Sequence, residues 1–234
     1  MKMRIFTLLV FSLFLNNITA QTTWYVKANG TGNGTSWANA SGNLQNVVNI
    51  AVAGDQIWMA EGVYKPAQTP SGVTPDPAGR TNTFYINKEI KLYGGFPNTG
   101  SPTMNDRDWE AHPTVLSGDF DNNDVNTDGN NIAESHTDIV GGNVYHVITI
   151  DGSSGVNISA DLLLDGLIIT AGHAATPDGV LGGTDSGGGI YNDGSGAGNA
   201  SNPTIRNCRF LGNEALQDGA GLFNFDYQGL GNTS

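Results

Sequence analysis

The sequence predicts an all-β solenoid in which parallel strands stack in successive turns, closed at its N-terminal end by one short helix. Three observations predict it: a helical pattern that occurs once, a long series of short strand patterns, and two internal repeats in the C-terminal half. Strands do not alternate with helices, so folds built from βαβ units are excluded. Each turn of chain, here called a rung, is too small to bury its own apolar side and must stack on the next.

The N-terminal part of the mature chain supplies the first strand and the helix. Residues 23–28 (TWYVKA) alternate as a strand and lead into the turn-rich stretch NGTGNGTSW. The glycines of that stretch lack the spacing and the following helix of a dinucleotide-binding loop. Residues 44–52 place apolar side chains at helical spacing, and Gly54 ends the pattern. We expect this helix to cap the first rung, whose core would otherwise be open.

After the helix, the sequence predicts short strands separated by turns. The segments are DQIWMAEGVY, TFYI, EIKLYGGF, TVLSGDF, YHVITI, LLLDGLIITAG, TIRNCRFLGN and GLFNF. The expected divisions are residues 1–20 as a signal peptide, 21–55 as the first strand and capping helix, and 56–234 as rungs. The strand-and-turn pattern continues to the end of the chain, so we expect further C-terminal rungs or domains in the full-length protein.

Two repeats predict the register of the strands. GGGIYN and GAGLFN place Gly189 and Gly221 32 residues apart, and residues 164–174 align with residues 205–215 at a spacing of 41 residues. In the second alignment Cys208 takes the place of an apolar Leu167, so a buried, inert thiol is predicted. Glycines permit sharp turns and close stacking of backbones, while asparagines are expected at the following turn, where their amides can hydrogen-bond between rungs. The residues assigned to these structural roles are Gly187, Gly189, Asn192, Asn213, Gly219, Gly221 and Asn224.

Taken in order, these segments resemble the right-handed parallel β-helix proteins of the pectate-lyase-like superfamily. The similar region covers nearly all of residues 23–226, from LQNVVNIAVAGDQIWMAEGVYKP through LYGGFP and NDRDWEAHPTVLSGDFDNND to GGGIYN. More narrowly, FLGN followed by GAGL resembles the Phe-X-X-Asn and Gly-Gly-X-aliphatic motifs of polymorphic outer-membrane protein repeats, with Ala220 replacing the second glycine. The resemblance implies a right-handed parallel β-helix. It implies two functional classes, surface adhesins without catalysis and polysaccharide-cleaving enzymes.

The first twenty residues have the layout of a Sec-type signal peptide: Lys2 and Arg4, an apolar run over residues 5–15, and a small-residue cleavage site ending at Ala20. The run is too short to span a bilayer comfortably, and no other stretch is long enough. Removal of this segment takes the net charge from −12 to −14. Nucleic acid is disfavoured as a partner, because its binding needs clustered Lys and Arg. We expect a secreted or cell-surface protein, of the kind found at an outer membrane.

An acidic stretch, SGDFDNNDVNTDGNN at residues 117–131, is the candidate metal site. Four of its residues match positions 1, 3, 5 and 6 of a calcium-binding loop, but Ser135 stands where such a loop has glutamate. Without flanking helices an EF-hand is excluded, and the scattered histidines lack the spacing of a zinc site. Two interpretations stay open: an Asx-rich surface loop that caps its own turns, or an extracellular Ca²⁺ site. The ligands of that site would be Asp119, Asp121, Asp124, Asn126 and Asp128.

The sequence leaves two functions open. The favoured one is a non-catalytic adhesive rod that binds glycans or host and matrix surfaces, because a solenoid with variable loops presents long binding faces. The aromatic residues considered for sugar stacking are Tyr85, Tyr93, Trp109 and Tyr191. The alternative is the N-terminal part of a polysaccharide lyase or glycoside hydrolase.

No catalytic residue is assigned for this enzymatic alternative. An adjacent Asp-Asp pair is missing from the chain. Asp119 and Asp165 are conceivable members of a carboxylate pair, and Arg206 and Arg209 are the conceivable bases of a lyase. The acidic balance of the chain disfavours a polyanionic substrate.

Overall fold

The computed structural model describes residues 21–70, 79–153, 155–175 and 183–227, so the predicted signal peptide and residues 228–234 lie outside the described residues. The described chain is mainly β, with the helix α1 at Leu44–Ile50 and short 3-10 turns at Trp37–Asn39, Met104–Asp106 and His136–Asp138. Its strands are β1 (Thr23–Val26), β2 (Gln56–Ala60), β3 (Gly62–Tyr64), β4 (Phe84–Ile86), β5 (Lys91–Phe96), β6 (Thr114–Ser117), β7 (Ile148–Asp151), β8 (Leu163–Asp165), β9 (Ile168–Thr170), β10 (His173–Ala174), β11 (Ile190–Asp193), β12 (Thr204–Arg206), β13 (Arg209–Leu211), β14 (Glu214–Ala215) and β15 (Leu222–Phe225).

These strands pair in parallel in three sheets that the chain visits in a repeating order. The first sheet has the order β1-β2-β5-β8-β12, the second β3-β6-β9-β13 and the third β4-β7-β11-β15, while β10 and β14 form a separate pair. From β2 to β15 the chain passes through the first, second and third sheets in turn before returning to the first. The architecture is therefore compatible with a parallel β-helix.

Both repeats predicted from the sequence are confirmed by the strand register. Leu164 pairs with Ile205 and Ile169 with Phe210, which is the spacing of 41 residues. Ile190 pairs with Leu222, one residue after the two glycines that define the spacing of 32 residues. Equivalent apolar positions therefore stack on each other from one rung to the next.

The core lies between the three sheets, and α1 packs against it. Inward residues Ile57, Leu92 and Leu164 stand in register on adjacent strands of the first sheet and are fully buried. Buried Leu44 and Val47 of α1 belong to the same cluster, and the helix packs against β1 and β4. The helix begins where the periodicity predicts but ends at Ile50, earlier than the predicted Val52.

The predicted turn residues divide into two kinds. Gly187 and Gly219 have φ angles of 75° and 59° and so adopt the left-handed conformation that glycine tolerates best. Gly189 has an ordinary φ but packs directly on the backbone of Gly221. The prediction that Asn192 and Asn224 lie at the following turn is wrong, because both lie within strands, β11 and β15.

The predicted hydrogen bonds between stacked asparagine amides are nevertheless present. Asn192 Nδ2 donates to Asn224 Oδ1 over 2.8 Å, linking consecutive rungs. Asn213 accepts from the backbone N–H of Gly172 and donates to the carbonyl of Ile169, each over 2.9 Å. Asparagine therefore satisfies backbone groups that the short strands leave without a partner.

Candidate functional site

The outer face of the third sheet carries aromatic side chains where a solvent-facing strand position is usually polar. Inward and outward positions alternate along its strands, with Ile190 and Asn192 buried and Tyr191 partly exposed on β11. Tyr191 stands in register with Phe223 on β15. Phe225, two residues further along β15, also points outward and is partly exposed.

Five rings on this face form what we call the aromatic strip: His146, Tyr191, Phe223, Phe225 and Tyr227. Tyr191 is central, with its ring centroid 5.0 Å from that of His146 and 6.0 Å from those of Phe223 and Phe225. The strip ends at Tyr227, whose ring lies 6.2 Å from Phe225 at an interplanar angle of 12° and whose side chain is 45% exposed. The strip is thus a continuous apolar surface that reaches solvent.

Gly187 lies against the strip. His146 Nδ1 lies 3.0 Å from the carbonyl oxygen of Gly187, within hydrogen-bond distance. A Cβ added at Gly187 would lie 3.1 Å from the Cα of Tyr191 and 3.2 Å from the Cβ of Phe223. The left-handed glycine predicted as a turn residue therefore also allows the rings to pack closely.

Carboxylates border the strip on the same face. Asp151 and Asp193 stand in register on β7 and β11. Asp151 accepts hydrogen bonds from the hydroxyl of Tyr85, from Ser153 N over 2.8 Å and from Ser153 Oγ over 2.6 Å. The pKa of Tyr85 is raised, first by burial and then by its hydrogen bond to Asp151. Tyr85 therefore stays protonated at neutral pH and acts as a donor to this carboxylate.

The predicted calcium loop is brought together only in part. Asp119, Asp124 and Asn126 line one small polar cavity of about 80 Å³. Asp121 and Asp128 lie outside its lining, and Asp128 accepts hydrogen bonds from Asn130 within its own turn, over 3.2 Å from the backbone N–H and 2.7 Å from the side chain.

The carboxylates at the cavity already have protein partners. Asp119 forms an ion pair with Lys65 at 3.3 Å, and Asp124 accepts from Val140 N over 2.8 Å and from Asn143 Nδ2 over 2.7 Å. Burial raises the pKa of Asp124 despite these hydrogen bonds. Among the described residues no group of three or more His, Cys, Asp or Glu is arranged to hold a metal ion. The chemistry of the donors suits Ca²⁺, but their number falls short of the usual six to eight oxygens, so calcium binding stays a prediction.

Asp119 and Asp165, the carboxylates considered for catalysis, have separate structural partners. Asp165 at the end of β8 is buried and accepts from Arg107 Nη2 over 2.8 Å and from Arg206 Nε over 2.7 Å. The pKa of Asp165 lies below its usual range: burial alone would raise it, but hydrogen bonds from Asn207, Arg107 and Arg206 outweigh burial. An ionised, fully bonded carboxylate is a poor general acid. Asp119 is not among its hydrogen-bond partners.

Of the remaining predicted residues, Cys208 and Tyr93 occupy ordinary packing sites, whereas Trp109 is exposed. Cys208 is partly buried against the core, and burial raises the pKa of its thiol, which makes it unreactive as expected. Tyr93 lies beneath the guanidinium of Arg107, 5.5 Å from its ring centroid. Trp109 is 38% exposed at the surface.

Sequence reasoning singled out Tyr191 for sugar stacking but missed His146, Phe223, Phe225 and Tyr227 as members of the same surface. The available signal was the phase of GLFNFDY: if Leu222 points inward, alternation places Phe223 and Phe225 outward. In the comparisons with known proteins, no family model, curated protein or solved structure matches the chain. Among the described residues, no helix is both long and apolar enough for a membrane crossing.

Proposed function

We propose that the protein is a secreted or cell-surface rod, a right-handed parallel β-helix, that binds neutral glycans through the aromatic strip without cleaving them. The observation that supports this most directly is the row of outward rings centred on Tyr191. Outward aromatic side chains expose apolar area to water, and a contiguous exposed patch of this kind is typical of an interaction surface. Aromatic rings suit the apolar faces of pyranose rings, which bury their C–H groups against them.

The charges around the strip favour a neutral ligand. Asp151 and Asp193 lie on the same face, and the mature chain carries a net charge of −14. Carboxylates accept hydrogen bonds from sugar hydroxyls but repel sulfate, phosphate and uronate groups. The proposed ligand is therefore an uncharged oligosaccharide, lying across the outer face of the third sheet.

The test is binding of the purified chain to an array of neutral and acidic oligosaccharides. We expect Tyr191→Ala and Phe223→Ala to weaken binding of the preferred neutral glycan at least about tenfold, equivalent to about 1.4 kcal/mol. Leu216→Ala is the matched control, because Leu216 is 52% exposed and lies outside the strip. The affinity of Leu216→Ala for the glycan should equal that of the wild type.

Two results would contradict the proposal. Unchanged affinity in both strip variants would place the glycan elsewhere on the molecule. Release of new reducing or unsaturated sugar ends from the bound glycan would favour the enzymatic alternative.

A further inference from the structure

Trp109 lies at the surface close to a buried ion pair at the first sheet. The pair is formed by Arg107, whose side chain is 8% exposed, and Asp165, which is 1% exposed. Arg107 Nε donates to the carbonyl of Gly94 over 2.6 Å, and Nη2 donates to the backbone oxygen of Asp165 over 2.9 Å. Burying two charges is costly unless their hydrogen bonds are satisfied, and these bonds fix the loop before Trp109.

The guanidinium of Arg107 also covers one side of the indole. Its Cζ lies 5.1 Å from the centroid of Trp109, a distance at which the cation is attracted to the ring face. Trp109 also borders a hollow, and 38% of the residue is exposed. The arrangement is an aromatic platform that a buried cation supports and that is partly open to solvent.

Two glycines allow the platform to sit this close to the sheet. A Cβ on Gly95 would lie 2.7 Å from the Cα of Trp109, and a Cβ on Gly166 would lie 2.9 Å from its Cβ. Real Cβ atoms do not approach other atoms so closely. Both glycines have positive φ angles, 95° and 74°, so the sequence uses glycine here for conformation as well as for space.

The hollow in front of Trp109 has a volume of about 440 Å³ and is bordered by Glu110, Asn207, Cys208 and Arg209. That volume lies within the range of small-ligand sites. Asn207 Nδ2 is bound to Asp165 over 2.8 Å, and its Oδ1 has no hydrogen bond to any described residue. Within the described chain, the side chains of Glu110 and Arg209 form no hydrogen bond or ion pair either.

From this arrangement we infer that the Trp109 hollow is a second, independent binding site that takes a single uncharged pyranose. The ring of the sugar would stack on the exposed part of the Trp109 indole. Its hydroxyls would bond to the carboxylate of Glu110, the guanidinium of Arg209 and the amide oxygen of Asn207, which together offer both donors and acceptors. The opposite charges of Glu110 and Arg209 leave the rim close to neutral, so an uncharged sugar fits better than an anion.

This site goes beyond the aromatic strip and does not depend on it. Its test uses methyl β-D-glucopyranoside, methyl β-D-galactopyranoside and methyl α-D-mannopyranoside, with sodium galacturonate as the charged comparison. Saturation-transfer NMR should detect at least one neutral glycoside, with a Kd on the order of 1 mM for so small a ligand. The same glycoside should protect tryptophan fluorescence from iodide, because Trp109 is the most exposed of the four tryptophans.

Variants separate stacking from a general structural effect. Trp109→Ala should weaken binding at least about tenfold, whereas Trp109→Phe should keep the affinity within about threefold but lose the fluorescence response. Arg209→Ala should weaken binding about fivefold while leaving the circular dichroism spectrum unchanged, because Arg209 is exposed and its side chain has no partner among the described residues.

The inference fails if no neutral glycoside binds at a concentration about ten times the expected Kd. It also fails if galacturonate binds more tightly than the neutral glycosides, or if Trp109→Ala and Arg209→Ala both keep wild-type affinity. Tyr191→Ala should leave this binding unchanged. Loss of binding only in Tyr191→Ala would assign the sugar to the strip and overturn the Trp109 site.

Discussion

Gly189 and Gly221 stand at equivalent positions of the two Gly-X-Gly motifs, yet their surroundings differ. A Cβ on Gly189 would lie 2.3 Å from the carbonyl oxygen of Gly221, a backbone atom that cannot move aside. The atoms nearest to a Cβ on Gly221 would all belong to the side chain of Phe210, at 3.4 Å or more, which are ordinary contacts. Neither glycine has a positive φ, so the two positions differ in available space and not in backbone strain.

We predict that Gly189→Ala lowers the free energy of unfolding by about 2 kcal/mol or more, because overpacking forces the stacked strands apart. Gly221→Ala is the matched control and should change it by less than about 0.5 kcal/mol. Urea unfolding of both variants measures the difference. Equal destabilisation would show that the glycines are needed for some reason other than the close approach of Gly189 to Gly221.

At the scale of elements, Asp165 joins the end of β8 to the loop before Trp109 and to β12. Its carboxylate receives Arg107 and Arg206 through hydrogen bonds of 2.8 and 2.7 Å, and Asn207 adds a third of 2.8 Å. The pKa of Asp165 is held below its usual value by these three donors, which outweigh the opposing effect of burial. A lowered carboxyl pKa stabilises the folded state above the unfolded pKa of about 3.9, and that stabilisation is lost as the pH falls through the folded value.

We predict that Asp165→Asn lowers the free energy of unfolding by about 3 kcal/mol at neutral pH, because Arg107 is left buried without its countercharge. The gap between wild type and variant should stay constant from about pH 7 to pH 5 and shrink below about pH 4, as the wild-type carboxyl protonates. Chemical denaturation across this range is the measurement. Asp161→Asn is the control, since Asp161 is exposed and its carboxylate has no partner among the described residues. A gap that persisted at low pH would exclude the charge as the cause.

Strand register was predictable from the sequence because the repeats align apolar positions that stack in the core, as Leu164 and Ile205 do. Which residues from outside a strand pack on its outer face was not predictable. The first sheet also carries an outward aromatic row, Tyr25 and Trp58, which is partly exposed like the strip. There Trp37, from a 3-10 turn, lies 5.0 Å from Tyr25, and Phe96 at the end of β5 stacks on Trp58 at 4.8 Å. Alternation marks both rows as outward, but only tertiary packing brings Trp37 and Phe96 against the row of the first sheet.

The Trp109 site was beyond sequence reasoning for a related physical reason. The sequence marks Trp109 as a sugar-stacking residue, but the support of this ring depends on the ion pair of Arg107 with Asp165, which is 58 positions away from Arg107 in the chain. Only the register of the first sheet, in which Tyr93 pairs with Asp165 and Asp165 with Arg206, brings these groups together. Contacts of this kind depend on the order of strands, which a local pattern does not encode.

At the scale of the whole molecule, the net negative charge affects how divalent cations change the stability of the fold. With a net charge of −12, the chain repels itself, and any divalent cation relieves that repulsion to some extent. General screening of this kind does not distinguish Ca²⁺ from Mg²⁺ and fades as salt is added, because the Debye length falls to about 3 Å at 1 M salt. A specific calcium site would persist at high salt and discriminate between the two ions, since Mg²⁺ demands a tighter octahedral shell.

We predict that about 10 mM Ca²⁺ raises the unfolding free energy by roughly 1 to 3 kcal/mol over equal Mg²⁺, as expected for a loop with a Kd of about 10⁻⁴ to 10⁻³ M. The excess should vanish in Asp124→Asn, because Asp124 lines the polar cavity beneath the acidic loop. It should persist in Asp161→Asn, which removes the same charge elsewhere.

Because burial raises the pKa of Asp124, the calcium effect should disappear at a higher pH than for an ordinary aspartate as the solution is acidified. The measurement is thermal unfolding of the wild type and both variants in the presence of Ca²⁺ or of Mg²⁺. Equal shifts with Ca²⁺ and Mg²⁺, retained in Asp124→Asn, would mean that the loop caps its own turns and that the cations act only on the overall charge.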